Sequence, residues 1–269
     1  MNEFPDYLKS FPREEYEAHI KKLQEEMEAE GLDMLLLSSP ENIFYSTAYR
    51  SWYTSSLFRP VLVFVPRKGE PAISLRILEQ STVRNVAWCP VIYAAGTKSR
   101  DLGPLNSEGP IDAMRQFISG LDYPVKTVGL EAGDGQHYFW SLNILKEQEG
   151  ALDGLRFVDG TGAIQKARMV KTSWEIDRIR TAGYVTEQAI RDTFSKIRPG
   201  ITTEKEIARG IASRMTAGGV DKISYLTVNS GRDKYHTFNS YATDRIVDHK
   251  DIVLVDISGH IDGYASDLT

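Results

Sequence analysis

Two aspartates, Asp256 and Asp267, stand eleven positions apart in the segment DISGHIDGYASDLT. The Asp262-Gly263 step that follows the β-branched run IVLVDIS marks this segment as a hairpin. Antiparallel arms send successive side chains to alternate faces, so parity decides where the carboxylates go. A turn centred between Ile261 and Asp262 sets them directly opposite each other, and a turn at Asp262-Gly263 offsets them diagonally by two. Both registers put them on one face. Like charges placed that way repel unless a cation sits between them, and a metal ion is the commonest such cation. Asp256 also follows the apolar run Ile252 to Val255, where a carboxylate without a partner is costly. The chemistry expected of the pair is ligation of a divalent metal.

The elements that must position these carboxylates lie in the second of two differently textured stretches. From Thr172 the sequence has the spacing of a capping box with Glu175, and Ile176, Ile179, Ala182, Val185, Ala189, Phe194 and Ile197 then recur at helical period. Pro199-Gly200 ends that helix. Thr203 and Glu206 repeat the box, and a second helix runs to Gly218-Gly219. ISYLTV, a polar segment and DIVLVDIS follow. The first 160 residues read differently. Arg13 to Glu30 is a charged amphipathic helix closed by Gly31, DMLLLSS is a buried strand, and PENIFYSTAY is a helix opened by proline. PVLVFVP and PAISL flank the turn RKGE as hairpin arms, and CPVIY, VKTVGLE and RFVDG are further strands. Helices are expected near Ile111 to Ile118 and from about Tyr138 to Glu147. This alternation predicts an α/β domain over 1–160, and a domain of different architecture over 161–269, with the boundary between Asp159 and Lys166. EAGDGQ matches no phosphate loop and reads as a strand-to-helix turn.

Composition excludes several classes. The 269 residues are 41% hydrophobic and 26% charged, which is ordinary globular composition. A net charge of −5 with dispersed basic residues leaves no footprint for nucleic acid. There is no run of eighteen apolar residues and no signal peptide at the first residues, so the expectation is a cytoplasmic protein with no membrane partner. Cys89, the one cysteine, rules out an internal disulfide and reads as core within VAWCPVIY. His19, on the charged helix, reads as surface, as do His137 and His249. Asp262 reads as a turn former and His260 as a solvated hairpin residue. YRSWYTSSLFRP gathers Arg50, Trp52, Tyr53 and Arg59 in a loop.

QKARMVKTSWEIDRIRTAGYVTEQAI, IRPGITTEKEIA and DIVLVDISGHIDGYASDLT follow the order and spacing of a known superfamily from Ile164 to Thr269. The chain resembles the pita-bread metallopeptidases: creatinase, prolidase and Xaa-Pro aminopeptidase. GLDMLLLSSPENIFYSTAY resembles the opening of the creatinase-type N-terminal domain. The resemblance implies an α/β creatinase-type domain over 1–160 followed by the N-terminal half of an α+β pita-bread catalytic domain over 161–269. It implies that Asp256 binds one metal of a dinuclear pair, that Asp267 bridges both, and that His236 is a catalytic histidine contacting substrate. It implies Mn²⁺ or Co²⁺, or else Zn²⁺, a proline-containing peptide substrate and a homodimer. His236 lies twenty residues before Asp256, as if TFNSYATDR held a short insertion, and Lys250 stands where relatives carry glycine.

The family's remaining metal ligands, a histidine and two glutamates from later strands, have no counterpart within the 269 residues. Two carboxylates cannot hold two divalent ions that each need roughly four to six ligands. The expectation is an Xaa-Pro dipeptidase or aminopeptidase represented by a C-terminally truncated chain that is inactive as written. A creatinase-like or ectoine-hydrolase-like amidohydrolase, or a dimethylsulfoniopropionate lyase, is the alternative on the same fold. A non-catalytic dimerising interaction protein is the alternative of another class.

Overall fold

The computed structural model describes residues 8–56, 59–96, 105–136, 152, 154–231 and 239–269. They divide into two compact units, Met1–Val170 and Lys171–Thr269.

The first unit opens with helix α1 (Arg13–Glu30), which turns into β1 (Met34–Leu37) through Gly31 at φ 68°. Helix α2 (Pro40–Thr47) begins with proline at its first turn and with the Ser39 hydroxyl accepting from the Asn42 amide. Strands β2 (Leu62–Pro66) and β3 (Ala72–Arg76) form the hairpin expected around RKGE. Then come α3 (Gln80–Val86), β4 (Val91–Ala95), α4 (Pro110–Ser119), β5 (Thr127–Leu130), β6 (Arg156–Asp159) and α5 (Thr161–Met169). The sheet runs β4-β3-β2-β1-β5-β6, with β1, β5 and β6 mutually parallel and β2 antiparallel to both neighbours. All of β1 and β2 is buried, as in strands covered on both faces. Met34, Leu36, Leu62 and Phe64 pack against Met114 and Phe117 of α4. Gly129 of β5 lies so close to β1 and to the residue following β6 that a Cβ on it would lie 2.8 Å from Leu35 and 3.1 Å from the Gly160 Cα.

Two expectations change here. Helix α5 falls in the first unit, beyond the sequence boundary at Gly160, because it packs on α1: Lys166 pairs with Glu30 at 2.9 Å, and Gly162 lets the same carboxylate sit against the backbone. His19 is buried, not exposed. It belongs to the stripe Tyr16, His19, Leu23 and Met27 that α1 turns inward. Its Nδ1 lies 2.9 Å from the Tyr45 carbonyl, and its ring stacks on Tyr45 at 3.9 Å. Cys89 is buried as expected. The helix expected from Tyr138 and His137 lie outside the described residues.

The second unit places α6 (Ser173–Phe194) and α7 (Glu204–Ala217) on the three-stranded antiparallel sheet β7 (Lys222–Ser230), β8 (Val253–Ile261) and β9 (Tyr264–Ala265). Both capping boxes are formed, Thr172 with Glu175 and Thr203 with Glu206. Ala182 and Ala189 of α6 and Ile207, Ile211 and Met215 of α7 pack on Val228, Val255 and Ile257. Gly259 keeps the sheet bare where the Met215 methyl presses against it.

Candidate metal centre

Asp262 at φ 49° and Gly263 at φ 83° form the two-residue turn between β8 and β9. Two consecutive positive φ values match the turn type whose twist suits a hairpin. The pairing Ile261↔Tyr264 continues to Ile257↔Leu268, which sets Asp267 opposite Ser258 and diagonal to Asp256. Of the two registers open to the sequence, the chain adopts the one turning at Asp262-Gly263. The carboxylates share the face opposite to Val255 and Ile257, hence the face turned away from the two helices. Asp256 is half-buried and Asp267 exposed.

β7 supplies a residue that sequence reading passes over. Tyr225 pairs with Ser258 and Thr227 with Asp256, so both project from the carboxylate face. The Tyr225 hydroxyl donates to Asp267 Oδ1 at 2.6 Å. That hydrogen bond, then burial and the Asp256 charge, push the phenol up to about 12. One hydroxyl thus lies within the field of both acids and holds Asp267 in place. Thr269 adds a long 3.4 Å contact to Asp256 Oδ1. Tyr225 owes its place to an irregularity in the β7–β8 pairing between Ile223 and Tyr225. No local signal marks that bulge in ISYLTV, and the partner strand lies more than twenty residues away.

A buried clasp fixes the entry to β8. Glu204, at the first turn of α7 and fully buried, accepts from Ser230 N and Oγ at 2.8 and 2.9 Å. It also accepts from Thr243 N and Oγ1 at 3.0 and 2.6 Å. Burial pushes this carboxyl up, but the bonds from Thr243 and Ser230 outweigh it and hold it below its ordinary value. Arg245 Nη1 reaches Ser230 Oγ and Asp251 Oδ2, both at 2.6 Å. The end of β7, the approach to β8 and the start of α7 are thereby tied together. Lys250 sits in this approach at φ 66°, the left-handed region that suits glycine.

The remaining sequence candidates sort as follows. His236 lies outside the described residues. His260 is half-buried on β8, with Nε2 2.6 Å from the Ser224 hydroxyl, and His249 is exposed. Asp262 forms the turn and pairs with Arg178 at 3.2 Å. Trp52 is exposed on a short 3-10 turn with Tyr53 against it, and Arg59 donates to the Tyr53 hydroxyl at 2.8 Å.

Residues 19–170 match the model of the Creatinase/Prolidase N-terminal domain, and residues 177–269 match that of Metallopeptidase family M24. The chain belongs to the creatinase/prolidase family. Among relatives, it is 27% identical to the probable dipeptidase PepE of Mycobacterium bovis, over 89% of this chain and 58% of the relative. It is 24% identical to the ectoine hydrolase of Halomonas elongata, over 74% of this chain and 48% of the relative. The crystal structure of dipeptidase PepE from Mycobacterium ulcerans superposes with a TM-score of 0.73 at 23% identity, covering 96% of this chain and 64% of that one. At that identity the likeness establishes the fold, which is the pita-bread fold of this family. The chain thus spans about half to two thirds of the length of these three proteins.

The donor set fits one side of a hard-cation site: two carboxylates on one face, with one of them oriented by a phenol. It does not by itself complete a two-metal centre, because four carboxylate oxygens fall short of two divalent coordination shells.

Proposed function

We propose that the chain contributes to a divalent-metal-dependent hydrolase of the Xaa-Pro dipeptidase or aminopeptidase type, with Asp256 and Asp267 as metal ligands. The observation that carries this reading is their common face beside Tyr225. Further ligands, a histidine and two glutamates by family resemblance, would come from polypeptide beyond these 269 residues. When bound, Mn²⁺, Co²⁺ or Zn²⁺ supplies Lewis acidity and a hydroxide nucleophile. The residues described here hold the ligands: Tyr225 orients Asp267, and the Glu204 clasp sets the register that aligns Asp256. His236 is proposed to contact substrate. A homodimer and a cytoplasmic location complete the proposal. Support comes from the M24 match and from the dipeptidase relatives.

The test is titration of the protein with Mn²⁺ and Co²⁺, followed calorimetrically, beside Asp256→Asn and Asp267→Asn. Each substitution should weaken binding at least tenfold, and binding by both variants equal to that of the parent refutes the assignment. Hydrolysis of Xaa-Pro dipeptides and of ectoine is assayed separately, on a full-length protein that carries the remaining ligands. The ectoine hydrolase relative favours a second reading, an amidohydrolase acting on a small cyclic substrate. Turnover of ectoine without turnover of dipeptides selects it.

A further inference from the structure

On the helical side of the second unit, a cavity of about 220 Å³ opens between the end of α6, the connection that follows it, and α7. Lys196, Arg198 and Arg214 line it, with Ile197, Ile201 and Ile207 as its apolar wall. Glu206 is its one acid, and that carboxylate already accepts from Thr203 N and Oγ1. Among the described residues, no carboxylate lies within ion-pair distance of the three cations. Arg214 is held by Nη1 alone, which donates to Gly210 O at 2.8 Å and to Thr193 Oγ1 at 3.3 Å. Its Nε and Nη2 have no partner among the described residues. Gly210 makes this possible: a Cβ there would lie 3.0 Å from Thr193 and 3.3 Å from the guanidinium.

With three cationic residues and one already engaged carboxylate in its lining, the cavity carries net positive charge. A guanidinium fixed by one nitrogen keeps its remaining N–H groups for a planar or tetrahedral oxyanion, the geometry in which arginine binds phosphate most strongly. The isoleucine wall suits a hydrocarbon substituent beside the charged head. We propose that this cavity is a binding site for a small phosphoryl-bearing molecule, with Arg214 as its anchor and Lys196 and Arg198 closing over the anion. The site lies on the helical side, away from the face that carries Asp256 and Asp267. It is independent of the metal-centre reading.

The experiment is calorimetric titration of the 269-residue protein with inorganic phosphate and with phenyl phosphate, at ionic strength held constant with chloride. Saturable binding of either, weakened about tenfold or more in both Arg214→Gln and Lys196→Gln, is the expected result. Tighter binding of phenyl phosphate assigns the isoleucine wall to the ligand, and equal binding assigns the site to phosphate itself. The Lys196 side chain is exposed and makes no hydrogen bond among the described residues, its backbone N–H alone donating to the Thr193 carbonyl at 3.0 Å. Lys196→Gln therefore keeps the test valid if Arg214→Gln fails to fold, with the thermal melt as the check. Absence of saturation up to about 10 mM, or binding unchanged in Lys196→Gln and Arg214→Gln, overturns the proposal.

Discussion

Replacing Glu204 by glutamine removes one charge and reverses one end of the clasp. In the parent, Oε1 accepts from both donors of Ser230 and Oε2 from both donors of Thr243. A carboxamide keeps one oxygen for one of these pairs and turns an NH₂ toward the other. The hydroxyl of that second residue can rotate to accept, but its backbone N–H cannot. An unpaired buried N–H costs about 1–3 kcal/mol, and each bond demoted from a charged to a neutral acceptor loses about 1 kcal/mol. The sum is about 3–5 kcal/mol, and the surface position of the Thr243 segment favours the lower end. With a urea slope of about 1.5–2 kcal/mol/M for a unit of this size, the midpoint should fall by roughly 1.5–2 M. Urea unfolding followed by circular dichroism measures it, and amide exchange in β7 assigns the loss to the second unit.

The pH dependence gives an independent check. Glu204 has its carboxyl held below the ordinary value of 4.5 by Thr243 and Ser230 against the opposing effect of burial. The folded state therefore binds its proton less tightly than the unfolded state does. Its contribution is fully present above pH 4.5 and declines as pH falls through the folded value. The gap between parent and Glu204→Gln should narrow below pH 4.5. A midpoint change under about 0.3 M at pH 7, or a gap unaltered in acid, refutes the account.

Tyr225→Phe should remove the phenol that titrates near pH 12 in a spectrophotometric titration and weaken Mn²⁺ binding a few-fold, by freeing Asp267. Unchanged binding would mean that Asp267 needs no such support. Gly160→Ala should destabilise the first unit by about 1–3 kcal/mol, since the added methyl meets Leu35 at 2.8 Å and the Gly129 backbone at 2.9 Å; a thermal melt within 1 °C of the parent contradicts the close approach. Lys250→Gly relieves about 1 kcal/mol of left-handed strain, offset by the extra freedom of the unfolded chain. Its urea midpoint should be equal to or above the parent's, and a clear decrease argues against the strain.

What the sequence disclosed was local. Both capping boxes, the β2–β3 hairpin and the Asp262-Gly263 turn depend on residues within four positions of one another, and all are present in the structure. Side-chain parity placed the two aspartates on one face because a hairpin leaves few registers. Tyr225 escaped because its position depends on a bulge and on pairing across a long connection. Glu204 carries no local signal, since acids are common in the first turn of a helix, and only the return of Thr243 and Ser230 buries it. His19 was hidden by charged neighbours: its sequence surroundings are polar, while its helical neighbours at three, four and eight positions are Tyr16, Leu23 and Met27. Lys250, at a position where the family resemblance implies glycine, takes the left-handed conformation that glycine favours.

The strand order of the first unit also bears on how it folds. β1 lies between β2, its neighbour in the chain, and β5, which enters about ninety residues later. Closing the longer loop costs only about 1 kcal/mol more chain entropy than closing β1 onto β2, because the penalty grows logarithmically. During synthesis, however, β1 to β4 emerge before β5 exists. They must wait with one side of β1 open. Glu131, just past β5, accepts hydrogen bonds from Ser38 N and Oγ, Ser39 N and Oγ, and Asn42 Nδ2. Its arrival therefore caps the end of β1 and the start of α2 in one step, making the β5 docking event the latch of the unit. Pulse-labelled exchange during refolding should protect β2 and β3 amides before those of β5 and β6, and simultaneous protection of all four would show that the sheet closes as one cooperative body.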